Sequence, residues 1–322
     1  IDHAPYLVNR SAWAMASVLR CAIVGRANAG KSTLLNALLG RKLAIATPRP
    51  GTTRTCILGV YLSESPPTQI AFLDTPGLRP PRNALGRALV QSARQGLLET
   101  EVVLLVTEID PRRPDDPDQV LAREEKRVMG LARDRKLPVV LAVNKIDRLL
   151  DKRLLLPLID ACSQRYPFAA IVPISALRAD NTLALVGAIR EQLPEGLRYD
   201  AEMLTDKPER FFVAELVREA AMMQTEQEIP YCLGVYLDSF RDEQRLTSIS
   251  AVIVVEKRAH KGILIGKGGS KLKSIGTAAR RQIERFLGRK VFLELYVKVR
   301  EGWTEAPADV RRLAVESTGS DD

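Results

Sequence analysis

The stretch Gly25-Arg26-Ala27-Asn28-Ala29-Gly30-Lys31-Ser32 follows an apolar run and opens a helical pattern that continues through Leu39. This is the strand–loop–helix setting in which the spacing GxxxxGK[ST] binds phosphate. The glycines let backbone N–H groups turn toward phosphate oxygens, and the helix N-terminus adds positive potential. Lys31 is predicted to neutralise the β- and γ-phosphates, and the Ser32 hydroxyl is predicted to ligate Mg²⁺. Alone, the motif predicts a nucleoside triphosphate site.

The tetrapeptide Asp74-Thr75-Pro76-Gly77 ends a second apolar run, Ile70–Leu73. A carboxylate at this place can hold Mg²⁺ through water, and the Gly77 N–H can reach the γ-phosphate. The same tetrapeptide also occurs in plain turns, so its meaning depends on the phosphate loop upstream. Together the two motifs favour a nucleotide site that uses Mg²⁺.

A third motif, Asn144-Lys145-Ile146-Asp147, ends another strand pattern and bears on the choice of base. The Asp147 carboxylate can accept two hydrogen bonds, from the ring N–H and the exocyclic amine of guanine. Adenine lacks this pair of donors, and a site built for polar groups rejects analogues without them. Ser175-Ala176 is a weak motif alone, but it follows a strand pattern, where the Ala176 N–H could reach the guanine carbonyl. The predicted nucleotide is therefore GTP or GDP.

The composition argues against several other classes of protein. With 322 residues, 46% hydrophobic and 27% charged, the chain is long enough for two domains with ordinary cores. Its longest apolar runs, such as Val102–Val106, fall far short of the roughly 18 residues of a membrane span. The four cysteines include no CxxC pair, and the two histidines lie in different regions. This pattern argues against a disulfide framework, a zinc site or a histidine base.

Strand patterns alternate with amphipathic helical patterns from about Leu19 to Leu193, which predicts an α/β fold with a mainly parallel sheet covered by helices on both faces. The predicted strands are Leu19–Val24, Ile57–Leu62, Gln69–Asp74, Val102–Thr107, Pro138–Asn144 and Ala170–Ile174. Pro194-Glu195-Gly196 then breaks the alternation. The order that follows is helix, strand, strand, glycine turn, helix and strand, which predicts a smaller α+β domain. Its predicted elements include Arg210–Gln224, Cys232–Asp238, Ser248–Glu256 and Val291–Val299.

The surplus of positive charge lies in one segment. The chain has a net charge of +9, and Lys261–Arg300 holds eleven Lys or Arg against two Glu, which is also +9. A surplus this local favours a surface for a polyanion, the alternative being a solvated basic face.

The tetrapeptide Gly266-Lys267-Gly268-Gly269 lies inside this segment, between a predicted strand-and-loop stretch and a helical pattern. A GxxG turn of this kind lets bare backbone approach several nucleotides. Ile263–Ile265 before it could form an apolar floor under the bases or belong to the core. The predicted phosphate contacts follow the turn and are all cationic: Lys271, Lys273, Arg280 and Arg281.

The motifs occur in the order and rough spacing of translation-factor-related GTPases, with Gly51-Thr52-Thr53-Arg54 between the first and the second. Over about Ser17 to Trp303 the sequence closely resembles the bacterial Era GTPases. Further Era-like features are Ser-Thr-Leu-Leu-Asn after Lys31 and the stretch Glu209-Arg210-Phe211. The resemblance implies a P-loop GTPase domain followed by an RNA-binding KH domain of type II.

The resemblance implies the following division of the chain. Residues 1–16 form an N-terminal extension without an assignment (translation from Met15 is one hypothesis), residues 17–194 a GTP-binding domain and residues 195–208 a linker. Residues 209–303 form the KH domain. Residues 304–322 carry Pro, Ser, Gly and Asp, and this composition predicts a disordered tail.

The resemblance also implies roles in nucleotide chemistry. The whole phosphate loop, Thr33 and the three later motifs would line the GTP or GDP site. Catalysis would depend on Lys31, Thr53 and Gly77.

Mg²⁺ would be held by Ser32, Thr53 and Asp74. Thr53 would sense the γ-phosphate, and Thr52 is the less favoured candidate. Residues 44–55 and 74–93 would be two switch segments that GTP orders and hydrolysis releases.

Leu78 stands where Ras-type GTPases carry the glutamine that orients water. Because leucine cannot orient a nucleophile, slow intrinsic hydrolysis is predicted. Related GTPases with Asn at the position of Asn28 can bind K⁺ beside the phosphates in place of an arginine finger, the alternative being that Asn28 only supports the loop. A second hypothesis is an RNA chaperone whose nucleotide domain binds GTP without hydrolysing it. A GTPase with two G domains is disfavoured because the sequence contains one phosphate loop, and a GTPase of transfer-RNA modification is disfavoured because the KH-like end differs from a modification domain.

The partner implied by the resemblance is small-subunit ribosomal RNA near its 3′ end, during maturation of the small ribosomal subunit. The residues themselves indicate only single-stranded RNA, contacted through its backbone and a few bases. The resemblance further implies a cytoplasmic monomer that can associate peripherally with the inner face of the cell membrane.

The base-reading assignment predicts the effect of Asp147→Asn. Replacing the pair of acceptors by one acceptor and one donor should weaken GTP binding about 10- to 100-fold and shift preference toward xanthine nucleotides. Titration with both nucleotides checks this, with Asp151→Asn as a control outside the motif. Unchanged preference for GTP would remove Asp147 from the base site.

Overall fold

The computed structural model describes residues 20–65, 67–77, 81, 83–113, 116–192, 203–243 and 246–315. The predicted N-terminal extension, Leu78 and most of the predicted linker lie outside these residues. The described residues divide into two compact units: the first comprises residues up to 44, residues 56–77 and residues 92–206, and the second comprises Ile45–Thr55, residues 81–91 and residues from 207 onward.

The first unit contains a six-stranded sheet in the order β2-β3-β1-β4-β5-β6. Its strands are β1 Arg20–Val24, β2 Ile57–Glu64, β3 Pro67–Asp74, β4 Val102–Glu108, β5 Val139–Asn144 and β6 Ala170–Pro173. β2 and β3 are antiparallel, and the other neighbours are parallel. The prediction of a mainly parallel sheet is confirmed.

The central strands are apolar almost throughout, which is typical of parallel strands buried on both faces. All six residues of β5 are buried, as are Val102–Thr107 of β4. The helices that begin or end in this unit are α1 Lys31–Leu39, α2 Ala84–Leu98, α3 Pro117–Val120, α4 Arg123–Asp134, α5 Leu155–Ser163 and α6 Thr182–Arg190. Because parallel strands end at one edge, the loops that follow β1, β3, β5 and β6 are brought to the same edge of the sheet.

The second unit is a three-stranded sheet with its three longest helices packed on one face. In chain order its main elements are α7 Glu209–Met223, β7 Gly234–Glu243, β8 Leu246–Val255, α8 Arg258–Ile265, α9 Ser270–Leu287, β9 Val291–Val299 and α10 Pro307–Val310. β7 pairs antiparallel with β8, and β9 pairs parallel with β8 at an edge of the sheet. The core between sheet and helices joins Val217 of α7, Ile253 of β8 and Ile283 of α9. The predicted α+β domain of the KH type is confirmed.

The predicted strand before the glycine turn is confirmed as β8, but the loop expected between that strand and the turn was wrong. Arg258–Ile265 is a helix in which His260 and Leu264, four residues apart, are buried. Burial at positions i and i+4 against the core places the apolar run Ile263–Ile265 in this helix rather than in a loop.

The prediction of disorder from residue 304 was also wrong for residues 304–315. Trp303 is fully buried, and its indole N–H donates to the Cys232 carbonyl at 3.0 Å. Val310 and Leu313 are buried in the same cluster, which covers Val252 on the outer face of the sheet. A few apolar side chains at helical spacing are therefore enough to fold residues 304–315, although the composition of the segment is polar. Residues from 316 lie outside the described part.

Ile45–Thr55 belongs to the second unit because two buried arginines of that unit bind backbone carbonyls. Arg218 on α7 is 1% exposed, pairs with Glu215 at 2.5 Å and donates to the Thr52 carbonyl at 2.5 Å. Arg54 is 3% exposed and donates to the Leu233 carbonyl at 2.6 Å. The predicted GTP-binding domain comprised residues 17–194, whereas the structure groups residues 45–55 with the second unit.

Two further findings bear on the earlier expectations. None of the helices in the described part of the chain is long and apolar enough to cross a bilayer. The four cysteines are free, and burial raises the pKa of the Cys232 thiol to about 11.

Removal of the Arg218 side chain should destabilise the second unit. Arg218→Ala leaves the Glu215 carboxylate buried without its cation, a change that costs about 3–5 kcal/mol. Urea unfolding monitored by Trp303 fluorescence, in a Trp13→Phe background, measures the free energy of unfolding. Arg153→Ala breaks an exposed pair with Asp151 and should leave the transition unmoved. Equal effects of the two substitutions would contradict a stabilising role for Arg218.

Candidate nucleotide site and nucleic-acid interface

The phosphate loop has no room for side chains at two of its glycines. A Cβ at Gly25 would lie 2.0 Å from the Val106 carbonyl oxygen, and one at Gly30 would lie 2.2 Å from Asn144 Nδ2. Asn28 between them adopts a left-handed conformation with φ of 65°. The loop therefore follows β1 closely packed against β4 and β5, with its backbone free to face a ligand.

Lys31 begins α1 and is buried at the head of this loop. Its ammonium donates to the Gly25 carbonyl at 3.1 Å and to the Arg26 carbonyl at 2.9 Å. Burial lowers the pKa of Lys31, whereas the nearby carboxylates of Asp74 and Glu125 oppose that shift. A buried cation of this kind gains most from a bound anion, because the anion replaces the hydration that burial removed.

The second motif meets the phosphate loop through oxygen atoms. The Ser32 hydroxyl donates to Asp74 Oδ2 at 2.6 Å, and the Thr75 hydroxyl donates to the Ile23 carbonyl at 2.8 Å. A Cβ at Gly77 would lie 2.8 Å from the Cα of Ala27, so the two loops approach without side chains between them. A hydroxyl and a carboxylate are hard oxygen donors of the kind that Mg²⁺ prefers.

Asn144 joins the loops of three strands through one buried amide. Its Nδ2 donates to the Ala29 carbonyl at 2.8 Å. Its Oδ1 accepts from the Ala176 N–H at 2.9 Å and from the Lys145 N–H at 2.8 Å. The phosphate loop and the two predicted base-reading loops are thereby held together.

Asp147 is oriented by a neighbouring loop. The Ser175 hydroxyl donates to Asp147 Oδ1 at 2.6 Å, and Asp147 itself is half-buried. The Ala176 N–H, expected to face the guanine carbonyl, donates to Asn144 in this structure. The arrangement presents a positioned carboxylate beside the loop that would receive a base.

Two acidic residues of this site were missed by the sequence analysis. Glu125 on α4 is fully buried and accepts from Arg26 Nε at 2.8 Å, and Arg26 also donates to the Gln119 carbonyl at 2.6 Å. Burial raises the pKa of Glu125, and Arg26 opposes the shift. Glu108, which ends β4, forms an ion pair with Lys145. Only Glu108 had a sequence signal, its place after a buried strand, because α4 reaches the loop through tertiary packing.

The residues fit a nucleoside triphosphate with Mg²⁺. Gly25, Gly30 and Gly77 clear space for phosphates, Lys31 supplies the cation, and Ser32 with Asp74 supplies hard oxygen donors. Within the described residues, no group of three or more His, Cys, Asp and Glu is placed to hold a metal ion. Thr53, the third predicted Mg²⁺ ligand, lies in the segment that clusters with the second unit.

The glycine turn of the second unit is a bare loop between α8 and α9. Gly266, Gly268 and Gly269 have φ of 73°, 58° and 76°. A Cβ at Gly268 or Gly269 would meet no atom within 4 Å, so the loop is open toward solvent. Gly269 caps α9, whose 18 residues add positive potential at its N-terminus. A phosphate backbone can approach such a loop closely.

Cationic side chains follow this loop along α9. Lys267, Lys273, Arg280 and Arg281 are exposed, and Lys271 is half-buried. Before the loop, Leu264 is wholly buried in the core, whereas Ile263 is exposed and Ile265 half-buried. Leu264 therefore belongs to the core, and only its neighbours present apolar surface.

Comparison with known proteins gives the family. Residues 20–145 match the family described as 50S ribosome-binding GTPase, and residues 228–304 match the KH domain family. GTPase Era of Geotalea daltonii is 43% identical over 285 residues, which cover 88% of this chain and 92% of that protein. The chain belongs to the Era family of GTPases. GTPase Era of Trichlorobacter lovleyi is 42% identical over 296 residues, covering 91% of this chain and 96% of that protein.

Two solved Era structures resemble the whole chain. Era in complex with MgGDPNP and nucleotides 1506–1542 of 16S ribosomal RNA is 38% identical, with a TM-score of 0.86, covering 95% of this chain and 100% of that one. A variant of Era from Aquifex aeolicus bound to GDP·AlF4⁻ is 39% identical, with a TM-score of 0.83 and the same coverage. The expected resemblance to Era and the expected fold are confirmed.

Removal of the bridging Asn144 amide should weaken nucleotide binding by this chain. Asn144→Ala leaves the Ala29 carbonyl and the Ala176 N–H without their partner, a change worth about 1–3 kcal/mol. The dissociation constants for GTP and GDP should rise by a similar factor of about 10 to 100, because the loops are held for both nucleotides. Calorimetric titration measures both. Gln95→Ala, an exposed amide on α2, is the control, and unchanged affinities in Asn144→Ala would contradict the bridge.

Proposed function

We propose that this GTPase acts as a switch in assembly of the small ribosomal subunit, binding 16S ribosomal RNA near its 3′ end through the KH unit. The observation that carries the proposal is the presence of two sites in one chain: a loop cluster joined by Asn144 and an open GKGG loop at the head of α9. The Era structure with a 16S ribosomal RNA segment supports the choice of partner.

The nucleotide site assigns a task to each loop. Backbone N–H groups of residues 25–33 and the Lys31 ammonium bind the phosphates, and the Gly77 N–H lies toward the γ-phosphate. The Ser32 hydroxyl would hold Mg²⁺, with Asp74 acting through water, and Thr53 stays the third ligand that the family resemblance predicts. Mg²⁺ supplies positive charge to the β- and γ-phosphate oxygens when bound. Lys31 and Asp74 support this assignment, since each is buried beside the other's opposite charge.

Guanine is selected by the Asp147 carboxylate. The hydrogen bond from Ser175 fixes one oxygen of Asp147 and so orients the carboxylate toward a base. Asn144, Lys145 and Ala176 complete the walls of the base site by holding one another through backbone and side-chain hydrogen bonds.

We infer that intrinsic hydrolysis is slow and that Asn28 is a K⁺ ligand beside the phosphates. Asn28 lies within the phosphate loop, between Gly25 and Gly30, and this place supports a ligand role beside the phosphates. Membership of a GTPase family favours hydrolysis over a chaperone that only binds GTP. Equal phosphate release in Na⁺ and K⁺ buffers would exclude the K⁺ assignment.

We further infer a cytoplasmic monomer that can associate peripherally with the inner face of the membrane. Free cysteines suit a reducing compartment, and the basic surface of α9 is attracted to anionic headgroups. A dimer in analytical ultracentrifugation would overturn the monomer.

The open glycine loop predicts a variant that loses RNA but keeps its fold. Lys267→Asp with Gly268→Asp places two carboxylates where phosphates would lie, and Asp tolerates the positive φ of Gly268. Binding of the 16S segment 1506–1542, measured by fluorescence anisotropy, should weaken at least about 100-fold and lose part of its salt dependence.

The control changes charge by the same amount on the first unit. Lys136→Asp with Leu150→Asp alters two exposed positions and should bind RNA as the unaltered chain does. Multiple-turnover phosphate release should persist in both variants without RNA. Retained RNA affinity in the Lys267/Gly268 variant would move the RNA site elsewhere.

A further inference from the structure

The outer face of β9 exposes two aromatic side chains. Phe292, Glu294, Tyr296 and Lys298 alternate with residues that face the core, so they share one face of this edge strand. Phe292 is 53% exposed and Tyr296 is 51% exposed, and the two charged residues are exposed as well. Large apolar groups in such a position call for an explanation, because a solvated sheet face ordinarily carries polar residues.

On the same face of the sheet, the neighbouring strand β8 is covered, in contrast to the exposed β9. Val252 of β8 lies opposite Tyr296 in the sheet and is 2% exposed. Trp303 and Leu313 pack over Val252 within the second unit. The segment after β9 therefore shields β8, and the side chains of β9 remain at the surface.

Two cations of this face stand beside a third ring, that of Tyr236 on β7. Lys298 Nζ lies 5.9 Å from the centre of the Tyr236 ring and donates to its hydroxyl at 3.2 Å. The Arg312 guanidinium lies 5.7 Å from the centre of the same ring. Aromatic faces for stacking next to cations for phosphates are the combination that binds single-stranded nucleic acid.

The spacing on β9 suits several nucleotides. Phe292 and Tyr296 are four residues apart, about 13 Å at the usual rise of about 3.3 Å per residue. One base can stack on each ring, and Glu294 between them can accept a hydrogen bond from an exocyclic amine such as that of cytosine. Lys and Glu are depleted in the cores of protein–protein interfaces, so the alternation Phe-Glu-Tyr-Lys favours RNA over a protein partner.

We propose that the outer face of β9 is a second contact for single-stranded RNA, with bases stacked on Phe292 and Tyr296 and phosphates near Lys298 and Arg312. The GKGG loop joins α8 and α9, which pack on the opposite face of the sheet through Leu264 and Ile283. Since β9 is an edge strand, one RNA strand can pass around it from the loop to the outer face. This inference rests on the proposed function and adds a second, base-stacking contact to it.

The test compares a long and a short RNA. The unaltered chain should bind the 16S segment 1506–1542 more tightly than a short RNA of about six nucleotides that the GKGG loop can accommodate. Phe292→Ala with Tyr296→Ala should weaken binding of the long RNA at least about tenfold and leave the short one unchanged. The slope of affinity against salt should stay the same, because stacking releases no counterions, whereas Lys298→Gln should lower it by about one.

Two controls isolate stacking from loss of apolar surface. Met223→Ala removes a side chain of equal exposure, 52%, at the end of α7 and should not change binding. Phe292→Tyr with Tyr296→Phe keeps both rings and should bind as the unaltered chain does.

The outcomes separate this inference from the proposed function. Long-RNA affinity that survives the double alanine substitution, or an equal loss for both RNAs, would overturn the second contact. If only the Lys267/Gly268 variant then failed to bind both RNAs, the proposed RNA binding by the KH unit would still be supported. An unaltered chain that binds neither RNA would overturn both.

Discussion

The hydrogen bonds of the Asn144 amide are the constraint on which the nucleotide site depends. One side chain donates to the phosphate loop at Ala29 and accepts from the loop of Ala176, while its Nδ2 fills the space that a side chain at Gly30 would need. The phosphate loop can approach β5 only because residue 30 is glycine, and the amide can bridge only because the loop comes so near. The loops proposed to bind phosphate and to recognise the base are therefore joined, so that a change that moves either loop moves the other.

Burial of charge is the second organising feature, and each unit uses it differently. In the first unit, Lys31 and Glu125 are buried around the phosphate loop, where burial lowers the pKa of Lys31 and raises the pKa of Glu125. An arriving triphosphate supplies the missing negative charge beside Lys31. In the second unit, Arg218 is neutralised by Glu215, and one further N–H of its guanidinium donates to the Thr52 carbonyl. If the segment 45–55 moved away from α7, this N–H of Arg218 would stay buried without an acceptor, so the movement has an energetic cost.

Much of the fold followed from local patterns. The apolar strands before Gly25 and Asn144 and the helix after Ser32 are found close to their predicted bounds, because hydrophobic periodicity and a glycine-rich turn act within a few residues. The predictions failed where a short, ambiguous stretch is decided by its neighbours. Ile263–Ile265 is helical because Leu264 packs in the core with α9. Residues 304–315 are folded because Trp303 and Leu313 pack against Val252. The residues that make these contacts are distant in sequence, so no local pattern predicted the contacts.

The sequence by itself determined the chemistry: which residues carry charge, which backbone positions must be glycine, and the order of strand, loop and helix that brings the motifs to one edge of a sheet. Only the tertiary structure decided the partners of those groups. The pairing of Arg26 with Glu125, the attachment of residues 45–55 to the second unit through Arg218, and the exposure of Phe292 and Tyr296 all depend on distant elements. The physical reason is range: backbone propensity and motif spacing act over a few residues, whereas burial and ion pairing are settled by whichever surfaces the folded chain brings into contact.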